Sequence, residues 1–379
     1  MLPALNTPLG ALESVEVWTF DVELFSPVEF AGGTHDVGRR AFVRVCTAEG
    51  EGFGEIGALE QPVGADPSLG AVLGALKDHW IPRLVAAASA RDGQCPGSEA
   101  IALLGSNSPL DRVCAAGIEM AVLDAELRRS QRSLRQWLGV ETSAVPFGGL
   151  LGLAPEHDLE ATVRQGTALL EQGASRLRVK ISPGNATSVI GVVRSAFPQV
   201  ALQADANGSF TMAEANELIE LDAFDLACVE EPLAGRDFAT TAQLASQMST
   251  PICLDESVQT PRHAADALRY EAAQVLCLKP ARLGGLRQTL ACQQIAERGG
   301  ASWFMGGLFE AGLGRAYLGA LAAREGARLV SDVASPSTYL RHDPCGLSSP
   351  SGGLQTLWDA SGVGPWPTGT HGVMASWSR

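Results

Sequence analysis

Five charged residues recur along the chain at an almost fixed interval. Lys180, Asp205, Glu230, Asp255 and Lys279 are separated by 25, 25, 25 and 24 residues. Each ends an apolar run with β character: SRLRVK (175–180), QVALQAD (199–205), LACVE (226–230), PICLD (251–255) and AAQVLCLK (272–279). One strand, one helix and two loops use about that many residues in a β/α barrel of ordinary size. The spacing therefore predicts five consecutive barrel strands, each delivering one charged group to the same rim. Barrel enzymes keep their chemistry on that C-terminal rim.

The residue types narrow the chemistry. Neighbouring strands lie about 4.8 Å apart, so Asp205, Glu230 and Asp255 should converge on one point. Three carboxylates that close repel one another unless a cation lies between them. An all-oxygen set with open positions suits Mg²⁺, with Mn²⁺ as a substitute. Lys180 and Lys279 sit on the two flanking strands and are the candidate bases. Burial and a neighbouring cation both disfavour the ammonium form, so both lysines are expected to titrate below the ordinary value of about 10.4. The period-2 rule puts Arg178 on the face of Lys180 and Asn207 on that of Asp205. It turns Glu256 away from Asp255, but alternation can fail at a strand end, and Glu256 is kept with Arg178 and Asn207 as a candidate contact to the substrate or to the residues that bind it. The stretch GGLFEAGLGR (306–315) brings Gly307 and Glu310 to the rim. Glu310 is expected to partner Lys279 or the substrate. The helix opened by GLGR is expected to receive a substrate carboxylate at its N-terminus.

Composition excludes several other roles. The net charge of −14 over 379 residues argues against nucleic acid, whose phosphates it would repel. No run of about 18 apolar residues marks a membrane span. The first residues lack the basic and apolar parts of a signal peptide, so a cytoplasmic location is expected. The eight cysteines show no disulfide or metal-type spacing. Cys228, Cys253 and Cys277 each lie two residues before a rim residue, which predicts thiols inside the barrel. A small-molecule carboxylate is the expected partner, and the chain is expected to form a homo-oligomer.

Patterning divides the chain in three. In residues 1–140, alternating strands (14–24, 40–47 and 50–57) precede helical segments (68–90 and 110–138), which reads as an α+β unit. Strand–helix repeats fill 141–335. VPFGGLLGL (145–153) opens them, and GASWFMGG (300–307) and ARLVSD (327–332) complete eight strands. Residues 336–379 are rich in Gly, Pro and Ser and are expected to pack back on the first unit. Loops at 25–36, which include His35, and at 55–62 are expected to close over the rim and set specificity.

The series RVK, DAN, VEEP, LDES, LKPARLGG and GGLFEAGLGR resembles the enolase superfamily in its muconate-lactonizing subgroup. With EMAVLDAELR (119–128), it is most similar to the o-succinylbenzoate synthase/N-succinylamino acid racemase family. Arg178 stands where the subgroup has the first lysine of Lys-x-Lys, and GGL replaces the usual GGM. Arg282 is similar to an arginine of the racemase-capable branch. The resemblance implies an α+β capping domain over a (β/α)7β barrel, with Mg²⁺ as cofactor and removal of a proton α to a carboxylate. Syn dehydration to o-succinylbenzoate in menaquinone synthesis is the preferred outcome. N-succinylamino acid racemisation comes next, then muconate-type cycloisomerisation or dipeptide epimerisation. A carboxylate-binding barrel without turnover would not need two opposed bases.

Overall fold

The computed structural model describes residue 5 and residues 7–30, 33–62, 64, 66–104, 108–152 and 158–379; for 26–30, 33–37 and 103 only the backbone is described. The chain opens with an antiparallel meander of β1 (Leu12–Phe30), β2 (Gly33–Thr47) and β3 (Gly50–Ile56). Alternation sorts its side chains. Val15, Val17, Val43 and Val45 pack into one core with helices Leu69–Ala75 and Pro109–Arg129, while Phe20, Phe42 and Phe53 belong to the core shared with the barrel. Ser108 caps the long helix, its hydroxyl accepting from the backbone N–H of Asp111, and Pro109 takes the first helical position. β3 lies almost on that helix. A Cβ at Gly54 would collide with the Gly117 carbonyl, so only glycine permits the contact.

The described residues of the predicted loop 25–36 belong instead to the strands of the first hairpin; residues 31 and 32 lie outside the described residues. β1 and β2 resume pairing at Val28↔His35, Glu29↔Thr34 and Phe30↔Gly33 after a register shift. The His35 side chain lies outside the described residues.

VPFGGLLGL is two strands rather than one. β4 (Ala144–Pro146) turns outward, and β5 (Gly148–Leu151) enters the barrel. Pro146 has no N–H for a ladder, and Phe147 between them is buried and bridges to Ser331. Six parallel strands follow: β6 (Arg176–Lys180), β7 (Ala201–Asp205), β8 (Cys228–Glu230), β9 (Ile252–Leu254), β10 (Val275–Leu278) and β11 (Ser302–Met305). With β5 they form a seven-stranded sheet in chain order. Residues 327–332 occupy the eighth position without forming a full strand. Ala327 bridges Trp303 and Ser331 bridges Phe147, which closes the barrel. After the barrel, β12 (Leu354–Thr356) pairs with β4, and β13 (Gly372–Ser378) adds an edge to β1. No helix among the described residues is long and apolar enough to cross a membrane.

Cys228, Cys253, Val275, Cys277 and Phe304 form an apolar cluster of their own. The Arg176 guanidinium lies over the Phe304 ring, 5.3 Å from its centroid, and donates to Gln203 and Asp332. The three thiols thus lie inside the barrel, as the spacing predicts.

Candidate active site

Strand register assembles the rim. Lys180 pairs with Asp205, and Asp205 with Glu230, at the ends of β6, β7 and β8. Glu230 aligns with Cys253, so Asp255 projects from just beyond β9. Lys279 follows the end of β10 in the same way. All five are buried: Lys180 and Lys279 are 6% and 8% exposed, and the three carboxylates 1% or less.

Each lysine is paired to the carboxylate beside it. Lys180 Nζ donates to Asp205 Oδ2 at 2.7 Å and to Asn207 Oδ1 at 2.5 Å. Lys279 Nζ donates to Asp255 Oδ2 at 2.7 Å. Burial works against the Lys279 ammonium, but the Asp255 carboxylate outweighs it and holds the pKa well above the ordinary lysine value. The lowering expected from the sequence rested on burial together with a neighbouring cation; the pairing with Asp255 acts against both. Asp255 lies well below the usual carboxylate range: burial pushes it up, and Arg282 and Lys279 more than offset that.

Arg178 lies under the rim and serves three carboxylates. Its guanidinium is 2.7 Å from Asp332, 3.2 Å from Glu230 and 3.9 Å from Asp205. Gln203 also donates to Glu230. Even so, burial and the Asp205 carboxylate push Glu230 up to about 8, against the opposing pull of Arg178. A divalent cation among these carboxylates would relieve that penalty, so the donor set fits one. Among the described residues, the group of potential ligand atoms within 4.8 Å of one another is that of Glu230, Asp255 and Cys277. The Asp205 carboxylate is turned to Lys180, and its Oδ1 accepts from the Asn207 N–H at 3.0 Å.

The remaining candidates divide. Asn207, in left-handed backbone at φ 46°, donates to Glu256 Oε1 at 3.1 Å. Glu256 therefore faces the site, contrary to the alternation rule, because β9 ends at Leu254 and the pleat no longer governs the next residues. Arg282 joins the capping domain to the rim. Its Nε and Nη2 contact Asp66 at 2.8 and 2.6 Å, and its Nη1 contacts Asp255. Glu310 does not reach Lys279. It accepts from the Leu308 N–H and pairs with Arg315 at 3.2 Å, since Phe309 at φ 57° redirects the chain. Gly307 donates weakly to Asp332 at 3.4 Å.

The helix Gly312–Ala322 does not offer its N-terminus to a substrate. Glu55 accepts from Ala311 N at 2.6 Å and Gly314 N at 2.8 Å, and Asp343 accepts from Gly312 N at 3.0 Å. Burial and nearby Glu310 push Glu55 up to about 8, although those two backbone N–H groups oppose it.

Asp66, Gln203, Glu231 and Asp332 were missed as site residues. Glu231 anchors the Asp255 loop through Asp255 N at 2.9 Å and Ser257. Asp332 follows an apolar run 53 residues after Lys279, two strand–helix steps further on; extending the period would have found it. Asp66 sits in an irregular loop and carries no such signal. Beside the rim lies a cavity of about 920 Å³, walled by Phe25 of the capping domain, Phe147, Leu150, Phe309 and Tyr339, with Arg178 and Asp332 at its polar end.

Comparison with known proteins agrees with this architecture. Residues 14–139 match the mandelate racemase/muconate lactonizing enzyme N-terminal domain, and residues 161–364 match the enolase C-terminal domain-like family. The chain is 32% identical to an N-succinylamino acid racemase from Amycolatopsis, over 94% of this chain and 95% of that one. It is 30% identical to the o-succinylbenzoate synthase of Bacillus subtilis, over 88% and 87%. A solved enolase-superfamily structure from Listeria innocua superposes with a TM-score of 0.85 at 25% identity, covering 94% and 95%. A barrel with an acidic rim, a meander cap and these matches together place the chain in the enolase superfamily, among its enzymes of the lyase and isomerase type.

Proposed function

We propose that the protein removes the proton α to a carboxylate, and that its reaction is the syn dehydration that forms o-succinylbenzoate. The observation that carries the reading is the pair of buried lysines on the two strands that flank three carboxylates. Asp205, Glu230 and Asp255 would hold Mg²⁺, which supplies Lewis-acid stabilisation of charge on the substrate carboxylate. Lys180 takes the α-proton. Asn207 accepts from its Nζ and so fixes where the proton arrives. Lys180 then returns the proton to the departing hydroxyl, which leaves as water from the same face. Lys279 provides positive charge on the other side. The aromatic wall of the cavity, with Phe147 buried and Phe25 half exposed at its edge, suits a ring.

Racemisation of N-succinylamino acids is the second reading. It is favoured by Lys279, which could return a proton to the face opposite Lys180, and by the similarity to the Amycolatopsis racemase. Full-length protein supplied with Mg²⁺ and the hydroxylated cyclohexadiene carboxylate should yield o-succinylbenzoate with one water lost per turnover. Inversion of succinylamino acids without any dehydration would favour the second reading. Turnover of neither substrate would remove both.

A further inference from the structure

We propose that the rim also takes a thiophilic divalent cation, Zn²⁺, Cd²⁺ or Co²⁺, in a mixed oxygen–sulfur site formed by Glu230, Asp255 and Cys277. The inference rests on the metal-binding reading of Glu230 and Asp255 given above, and adds a ligand of different chemistry to it.

The three side chains stand on three consecutive steps of the barrel, and their ligand atoms lie within 4.8 Å of one another. Zn–S and Zn–O bonds of about 2.3 and 2.0–2.2 Å keep two ligands of one ion within about 4.5 Å, so a small movement closes the group on a cation. Cys277 is 1% exposed, and no hydrogen bond engages its thiol among the described residues. It projects inward beneath Lys279, towards Asp255. Gly306 backs the sulfur so closely that a Cβ there would strike it.

The donor set decides which ions enter. Thiolate selects soft and borderline cations, whereas carboxylate oxygens alone suit Mg²⁺ and Mn²⁺. The all-oxygen set with Asp205 and the mixed set with Cys277 share two ligands, so the two ions exclude each other. Coordination converts the thiol to thiolate and releases one proton to solvent. Lys279 and Arg282 on Asp255, and Arg178 on Glu230, must yield to either cation. Thiophilic ions should therefore compete with Mg²⁺ instead of adding to it.

Cobalt and zinc titrations of full-length protein stripped with chelator test this. The background carries Cys46→Ser and Cys95→Ser, because those are the two partly exposed cysteines. One Co²⁺ per chain should bind and give a sulfur-to-cobalt charge-transfer band. X-ray absorption of the Zn²⁺ form should show one sulfur at about 2.3 Å. Cys277→Ser should abolish the band and weaken Cd²⁺ binding at least about tenfold, as losing a direct ligand costs no less than disturbing its supports. A spectrum with oxygen ligands only, or a sulfur band that survives Cys277→Ser, overturns the proposal. If Cys277→Ser does not fold, the X-ray absorption of the background protein decides alone, and an oxygen-only shell is the refuting result. Calorimetry with Mg²⁺ on the same protein reports separately on the all-oxygen site.

Discussion

Asp66→Asn should damage one catalytic face more than the other. Asp66 comes from the capping domain and forms a two-point pair with Arg282, whose side chain is 2% exposed. Asn can accept one of the two guanidinium N–H bonds, but it turns its own N–H₂ towards the second. The variant therefore loses a charge-assisted hydrogen bond and leaves a buried donor unpaired, at a cost of about 1.5–3 kcal/mol. For domains of this size that lowers the melting temperature by roughly 3–10 °C. Arg282 would then be held by Asp255 alone, and Asp255 in turn holds Lys279. A loosened Lys279 should slow proton transfer on its face by about 10–100-fold, since small misplacements of a reacting group have effects of that order. Lys180 is held by Asp205 and Asn207 and should be spared. Exchange of the α-proton in D₂O, started separately from the two enantiomers of an N-succinylamino acid, reads the two faces independently. Equal loss on both faces, or an unchanged melting temperature, would refute the positioning role of Asp66.

Two further outcomes concern the supports of the site. Gly285→Ala should be poorly tolerated: the backbone there has φ 110°, and a Cβ would overlap the Glu119 carboxylate that accepts from Leu286 N. Left-handed strain and a lost helix cap together give about 2–4 kcal/mol, measurable by urea unfolding; wild-type stability would show that the loop can move aside. Glu55 and Glu119 are both pushed from 4.5 to about 8, in each case mainly by burial. Between those values the folded chain keeps protons that the unfolded chain has released, so stability should fall as pH rises, by about 1.4 kcal/mol per pH unit for each group. Glu119→Gln should remove its share of that slope, and an identical slope in the variant would count against the assignment.

Much of the barrel was legible because its signal repeats. An apolar run ending in a charged residue recurred five times, and each run became a strand that delivers its residue to the rim. The alternation rule placed Cys228, Cys253 and Cys277 correctly for as long as the pleat lasted. It failed at Glu256, past the end of β9, where backbone direction is set by the loop. Long-range pairing was not legible. Glu55 fills the N-terminus of a helix that begins 257 residues later, and nothing local to GLGR shows that its donors are taken. The same holds for Asp66 and Arg282, 216 residues apart. Residues 25–36 read as a loop, yet pairing across the hairpin extends the strands over 28–30 and 33–35. Glu310 pairs with Arg315 and not with Lys279, because the left-handed backbone at Phe309, invisible in the residue type, turns it.

The most direct measurement is solvent exchange at the α-carbon. Full-length protein with Mg²⁺ should incorporate deuterium from D₂O into an N-succinylamino acid. Lys180→Ala should lose exchange at one face, by about 10²–10⁴-fold, and should also lose dehydration of the cyclohexadiene carboxylate. Lys279→Ala should lose exchange at the opposite face. Exchange that persists at both faces in Lys180→Ala, or no exchange in the wild-type protein with any succinyl-substituted carboxylate, would contradict the assignment of these two lysines as the bases.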